Sequence, residues 1–203
     1  MVSASTTFHY KQRTSNYERN HMSTQTKQEI PVGSYTVDPV HSSIGFAIFH
    51  NGISPFRSTF EDYSITLTGG ETPKLEGSVE VASIAITEEM LKGHLLSPDF
   101  FDAEEYPQVR FTSSGLDVAD DGSVQLKGEL EIRGEKHEVE ATGKFAPLGK
   151  DLGGSARVGF SLATTVDRRS FGLVWNADLP SGGEVLDYDV SIAVELEFVA
   201  AAE

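Results

Sequence analysis

Six histidines, His9, His21, His41, His50, His94 and His137, carry the side chains of this chain that ionise nearest neutral pH, and imidazole is also a common metal ligand. They form no His-Glu-x-x-His motif, no i, i+4 pair and no tight cluster, so metal binding has no local signature. His137 falls on the apolar phase of its segment, where a lone histidine reads as a hydrogen-bonded core or rim residue. Cysteine is absent, which removes disulfides, thiolate nucleophiles and thiolate metal sites. No Gly-x-Ser-x-Gly stretch presents a serine nucleophile. Asp62 interrupts an apolar stretch as a candidate buried acid, yet acid/base chemistry needs a second group. The pairs Gly69-Gly70, Gly153-Gly154 and Gly182-Gly183 precede strand-like runs, so they are turns rather than phosphate cradles at a helix start. What remains is Arg168-Arg169, followed by Ser170-Phe171-Gly172 and the single Trp175. Such a pair is either a solvated rim or a cationic group that holds a polar head while an apolar interior takes the tail.

The chain that positions these residues has 203 of them, 38% hydrophobic, with 16 Lys and Arg against 31 Asp and Glu and a net charge of −15. Nucleic acid is a poor partner for that charge. The apolar runs fall far short of the ~20 residues of a spanning helix, so no integral membrane segment is expected. All 19 glycines and all 8 prolines lie at or after Pro31. Residues 1–29, rich in Ser, Thr, Asn and Gln, read as a disordered extension, and 30–203 as one folded domain. That extension has no apolar core of a secretory signal; Met22 offers an alternative start, and an Arg-containing, acid-poor leader is the other reading.

From Gly33 onward apolar residues alternate with polar ones in short runs separated by Gly, Pro, Asn or Asp, the period of half-buried antiparallel strands. Strands are expected at 33–38, 42–49, 56–67, 75–84, 108–117, 124–133, 136–145, 156–166 and 184–199, with a β-bulge where the phase slips between Phe60 and Tyr63. Turns such as Asp120-Asp121-Gly122 and Gly134-Glu135 join them. Residues 87–107 are the exception: Thr87 is expected to cap a short helix over 88–91, before the turn Ser97–Asp102 with Phe100 and Phe101. Eight or nine such strands avoid exposed edges by closing into a barrel, with a sandwich as the competitor. On the inward phase Gly77, Ser113, Gly115, Gly128 and Gly143 replace bulk. They either leave room for one ligand or let the strands bend around a filled core.

The ordered blocks Tyr35-x-Val37-Asp38-x-x-His41-Ser42-x-Ile44-x-Phe46-x-x-x-His50, His94-Leu95, Asp99-Phe100-Phe101-Asp102, Tyr106-Pro107, Phe111-x-Ser113-Ser114, Gly128-x-Leu130-x-Ile132-x-Gly134 and Arg168-x-x-Phe171-Gly172 resemble the YceI-like family across about 33–199. Two positions depart from its pattern: Glu135-Lys136 follows Gly134 without the usual Thr, and Ser170 stands where an acid usually precedes Phe-Gly. The resemblance implies an all-β fold, an extended eight-stranded antiparallel lipocalin-like β-barrel whose interior binds a polyisoprenoid or a related amphiphile such as an isoprenoid quinone.

The expected lining combines that implication with strand phase. The first half of the chain supplies Ile44, Phe46, Ile48, Val79, Val81 and Phe111. The second half supplies Leu126, Leu130, Val139, Phe160, Leu162, Trp175, Ile192 and Val194. His41, His94 and Arg168 are placed at the mouth. For Arg168 a head-group contact and an ion pair with Asp38 or Asp187 both stay open, the excess of acids favouring the pair. The expected function is non-catalytic carriage or storage of a lipid-like small molecule, without metal or catalytic cofactor; the alternative is an enzyme or redox module acting on that ligand. A homodimer is left open, and the missing signal places the chain in the cytoplasm of a bacterium.

Overall fold

The computed structural model describes residues 28–201, so the extension read over 1–29 lies, up to residue 27, outside the described residues. The carbonyl of Ile30, a buried residue, accepts from Gly70 N at 3.0 Å and ties the start of the described chain to the sheet. Ten strands succeed one another: β1 Gly33–Val37, β2 Ser43–His50, β3 Ser54–Phe60, β4 Tyr63–Gly69, β5 Lys74–Glu80, β6 Gln108–Val118, β7 Ser123–Ile132, β8 Glu135–Lys150, β9 Ala156–Asp167 and β10 Leu186–Ala200. Every pairing among them is antiparallel.

The ten strands make eight staves. β1 and β2 lie along the same edge of β10, Tyr35–Val37 beside Phe198–Ala200 and Ser43–His50 beside Leu186–Glu195. β4 continues that arrangement beside β1, and β3 beside β2. The β1–β10 pairing closes the ring, which makes the molecule a barrel and not a sandwich.

Each break has a local cause. Pro39 has no N–H to donate to a ladder, and Asp38 Oδ1 turns to accept from Val40 N at 2.9 Å, which ends β1. The second stave breaks at Glu61-Asp62, where the apolar phase slips; Asp62 is exposed there and is no buried acid. The third leaves the sheet in a 3-10 turn at Val81–Ser83 and returns to β3 through Ala85 N, which donates to Thr59 O at 2.8 Å.

Two hairpins carry consecutive left-handed residues, Asn51-Gly52 (φ 56° and 65°) and Arg133-Gly134 (φ 53° and 76°). That backbone matches the twist of paired strands and suits Asn and Gly. The second turn is therefore one residue earlier than expected, and Glu135 already belongs to β8. The helix of the insert, α1, spans Glu89–Leu96, and its cap is Glu88 rather than Thr87: the Glu88 carboxylate accepts from Met90 N (3.2 Å) and Leu91 N (2.5 Å). Among the described residues no helix is long and apolar enough to cross a membrane.

One end of the barrel is solid. Leu67, Leu75, Leu116, Val118, Val124, Val158 and Phe198 fill it together with Ile30. Gly143 belongs to the wall of this packing: a Cβ there would meet Ser161 O at 1.8 Å. At Gly128 a Cβ would meet Phe111 Cζ and Thr112 O at 2.5 Å. These glycines bring neighbours together and do not make room. Gly115 does not point inward at all, because a register shift between Ser113 and Gly115 sets it opposite the exposed Lys127.

Candidate ligand cavity

The other end of the barrel is hollow, with a cavity of about 600 Å³. Period two places Ile44, Phe46 and Ile48 of β2 on its wall, and Val190, Ile192 and Val194 of β10 beside them. Val79, Phe111, Leu126, Leu130, Val139 and Leu162 continue the wall around the ring. The rim comes largely from outside the sheet: Leu91, His94 and Leu95 of α1, Phe100 and Phe101 after it, Leu173, Trp175 and Val185 between β9 and β10, and Leu186 at the start of β10. Polar side chains are few, namely His50, Ser54, Ser78, His94, Arg110, Thr164 and Arg168. A volume of this size with an apolar wall and sparse polar groups is the build of a single small-ligand site.

Three residues expected on this wall lie elsewhere. Phe160 is on the inward phase but two residues nearer the solid end than Leu162, where its ring lies tilted against Phe145 (5.1 Å) and edge-on to Phe198 (6.2 Å). Val81 is fully buried in the 3-10 turn that ends the third stave. His41 is exposed in the break between β1 and β2, its Nδ1 3.0 Å from Asp38 Oδ2. Leu173 lies on no strand, so sequence phase had no access to it as a lining residue, whereas Phe56 on β3 and Leu186 on β10 stand in phase with Phe60 and Val190.

His94 sits at the rim with Nε2 3.2 Å from Asp99 Oδ2 and its ring edge-on to Phe100 (4.9 Å) and Trp175 (4.8 Å). Arg168 is 4% exposed and ends β9 in a short 3-10 turn with Arg169, Ser170 and Phe171. Its guanidinium spans three main-chain carbonyls: Nε donates to Asp187 O (2.9 Å), Nη1 to Leu173 O (2.5 Å) and Trp175 O (2.9 Å). Nη2 is buried without a partner, and burial pushes the group's pKa down. The expected ion pair is thus replaced. Asp187 offers its carbonyl rather than its carboxylate, and Asp38 is held by Arg157 Nη1 at 2.6 Å. Arg169 points outward, forked on Asp167 and lying over the Tyr188 ring at 4.0 Å; it holds the Asp167 pKa down at about 2.

Asp38, His41 and Glu197 come close enough together to share a cation, but a cation is already there. Arg157 donates to Asp38 and Glu197 at 2.6 Å each and to Asp151 at 2.9 Å. Its charge holds the Asp38 and Asp151 pKa values below the usual carboxylate range.

A family model described as the YceI-like domain matches residues 35–198. A UPF0312 protein of Staphylococcus epidermidis is 29% identical over 169 residues, 81% of this chain and 96% of its own length. One of Staphylococcus aureus is 27% identical over 170 residues, with the same coverage. Among solved structures, BcnA of Burkholderia cenocepacia superposes with a TM-score of 0.67 at 20% identity, over 79% of this chain and 98% of that one. The YceI protein of Campylobacter jejuni gives 0.65 at 24% identity, over 76% and 90%. A polyisoprenoid binding domain from Saccharophagus degradans gives 0.65 at 15% identity, over 82% and 98%. At these identities the structures establish the shared fold.

Proposed function

The chain belongs to the YceI-like domain family, and from that premise we propose that it binds a polyisoprenoid or a related amphiphilic lipid, isoprenoid quinones included, inside its barrel without transforming it. The observation that carries the reading is the wall of the 600 Å³ cavity, in which aliphatic and aromatic side chains from every part of the ring face one another. An isoprenoid or acyl tail placed there gains up to ~0.8 kcal/mol per buried CH₂, and rim groups such as His50, Ser54 and His94 orient a head. The polyisoprenoid binding domain of Saccharophagus degradans, which shares the fold, agrees in ligand class.

The alternative is an enzyme or redox module acting on that ligand through His41, His94 or Arg168, and the surroundings of these residues favour it less. His41 is outside the cavity, Arg168 is spent on carbonyls, and His94 is hydrogen-bonded to Asp99 at 3.2 Å. Native mass spectrometry of protein purified from its own host tests the proposal. One lipid-sized mass adduct per chain, released on denaturation and unchanged after incubation, is the expected result; protein that carries no lipid and takes none up from a total lipid extract overturns it.

A further inference from the structure

Exposed apolar side chains gather where the cavity opens. Among the described residues eight large apolar side chains are exposed; Val32, Val40 and Leu152 lie elsewhere, whereas Phe49, Ile53, Met90, Leu91 and Val174, with Ile53 and Met90 exposed by 81% and 82%, sit on segments that also supply cavity-lining residues. Ile53 tips the β2–β3 hairpin, whose Ser54 lines the cavity and whose Asn51 N donates to Val185 O at 2.7 Å. Met90 lies beside Leu91 in the first turn of α1, and Val174 stands between two lining residues, Leu173 and Trp175. Leu91 belongs to both sets, exposed and lining the cavity, and the other four of this collar adjoin lining residues in the chain.

We propose that the collar docks on the surface of a lipid bilayer, with Ile53, Met90 and Val174 inserted at the level of the headgroups, so that the cargo passes between bilayer and barrel without crossing water. This rests on the lipid reading above, since a cargo that suits this cavity dissolves in a bilayer and not in water. The size of the patch chooses the bilayer over a protein, and charge chooses the kind of bilayer. Five side chains spread over the end of β2, its hairpin, α1 and the segment after β9 do not fill the ~800 Å² per partner that a stable interface buries, whereas a bilayer demands no shape match. Charge then selects among bilayers: residues 30–203 carry 12 Lys and Arg against 29 Asp and Glu, so neutral headgroups are favoured and anionic ones repelled.

Flotation with vesicles of pure phosphatidylcholine, and with vesicles containing phosphatidylglycerol, tests the proposal on the full chain. The wild type is expected to float with the neutral vesicles and less with the anionic ones at low salt. Ile53→Asp, Met90→Asp and Val174→Asp change exposed positions outside the cavity lining, so the fold is retained. Combined, they are expected to weaken flotation at least ~10-fold. Quenching of Trp175 by a short isoprenoid quinone, measured without vesicles, is expected to be the same in the triple variant and the wild type. Loss of quenching in both proteins with flotation intact would remove the cargo reading and leave the docking. Absence of flotation, flotation that the substitutions do not weaken, stronger flotation on anionic lipid, or a wild-type dimer that the substitutions dissociate would each overturn the docking.

Discussion

Arg168 shows how a side chain that looks functional in a sequence can be occupied by structure. Its three bonds run to the carbonyls of Leu173, Trp175 and Asp187, two of them on the rim segment and the third just after it. Arg168→Ala leaves those carbonyls without their donor in a buried setting. The expected loss is about 3 kcal/mol or more in a denaturant melt, with headed and unheaded ligands weakened alike because the rim loosens. Arg168→Lys recovers part of the stability, since an ammonium lacks the planar fork that reaches several acceptors at once. A loss confined to headed ligands at unchanged stability would assign Arg168 to the head group instead.

The weak points of the barrel are its interrupted staves, and the break between β1 and β2 is tied down by charge. Arg157 on β9 gathers Asp38 from the break, Glu197 from β10 and Asp151 from the turn before β9. The Asp38 and Asp151 pKa values lie lower in the folded protein than in a free chain. Their contribution is therefore present above about pH 4, the unfolded carboxylate range, and is lost as pH falls below it. Thermal melts across pH are expected to show a falling acid limb in the wild type and a flatter one in Arg157→Met; identical limbs would show that the cluster carries no linked stability. Strand existence and facing were legible at this scale because period two is local, as Ile44, Phe46 and Ile48 show. Depth along a strand is not local. Phe160 and Leu162 share a face and differ only in which end of the barrel they reach, and the bulge at Ser113–Gly115 reverses a phase that alternation alone carries straight on. The inward glycines were ambiguous for the same reason: what Gly128 and Gly143 touch belongs to neighbouring strands.

At the scale of the molecule the chain divides its interior unequally. Leu67, Phe145, Val158 and Phe198 make a solid end that holds the ring, and the rest of the ring is left free to surround a ligand. Phe198→Ala, in the solid end, is expected to cost ~3–5 kcal/mol of stability, whereas Ala141→Phe, on the cavity wall, fills space that a ligand would take. The antiparallel meander and its closure were readable from regular strand spacing and His94 was placed at the mouth, while the meeting of α1 with the 172–185 segment was not readable, since it rests on tertiary contacts such as that between His94 and Trp175. That meeting supplies a probe, because the single tryptophan of the chain lines the cavity. Titration of the wild type with a short isoprenoid quinone, followed by Trp175 fluorescence, is expected to give saturable quenching at one quinone per chain, reversed by an isoprenoid alcohol and weakened at least ~10-fold in Ala141→Phe at unchanged fold. Quenching that does not saturate, or that Ala141→Phe leaves as it was, would contradict a lipid-binding cavity.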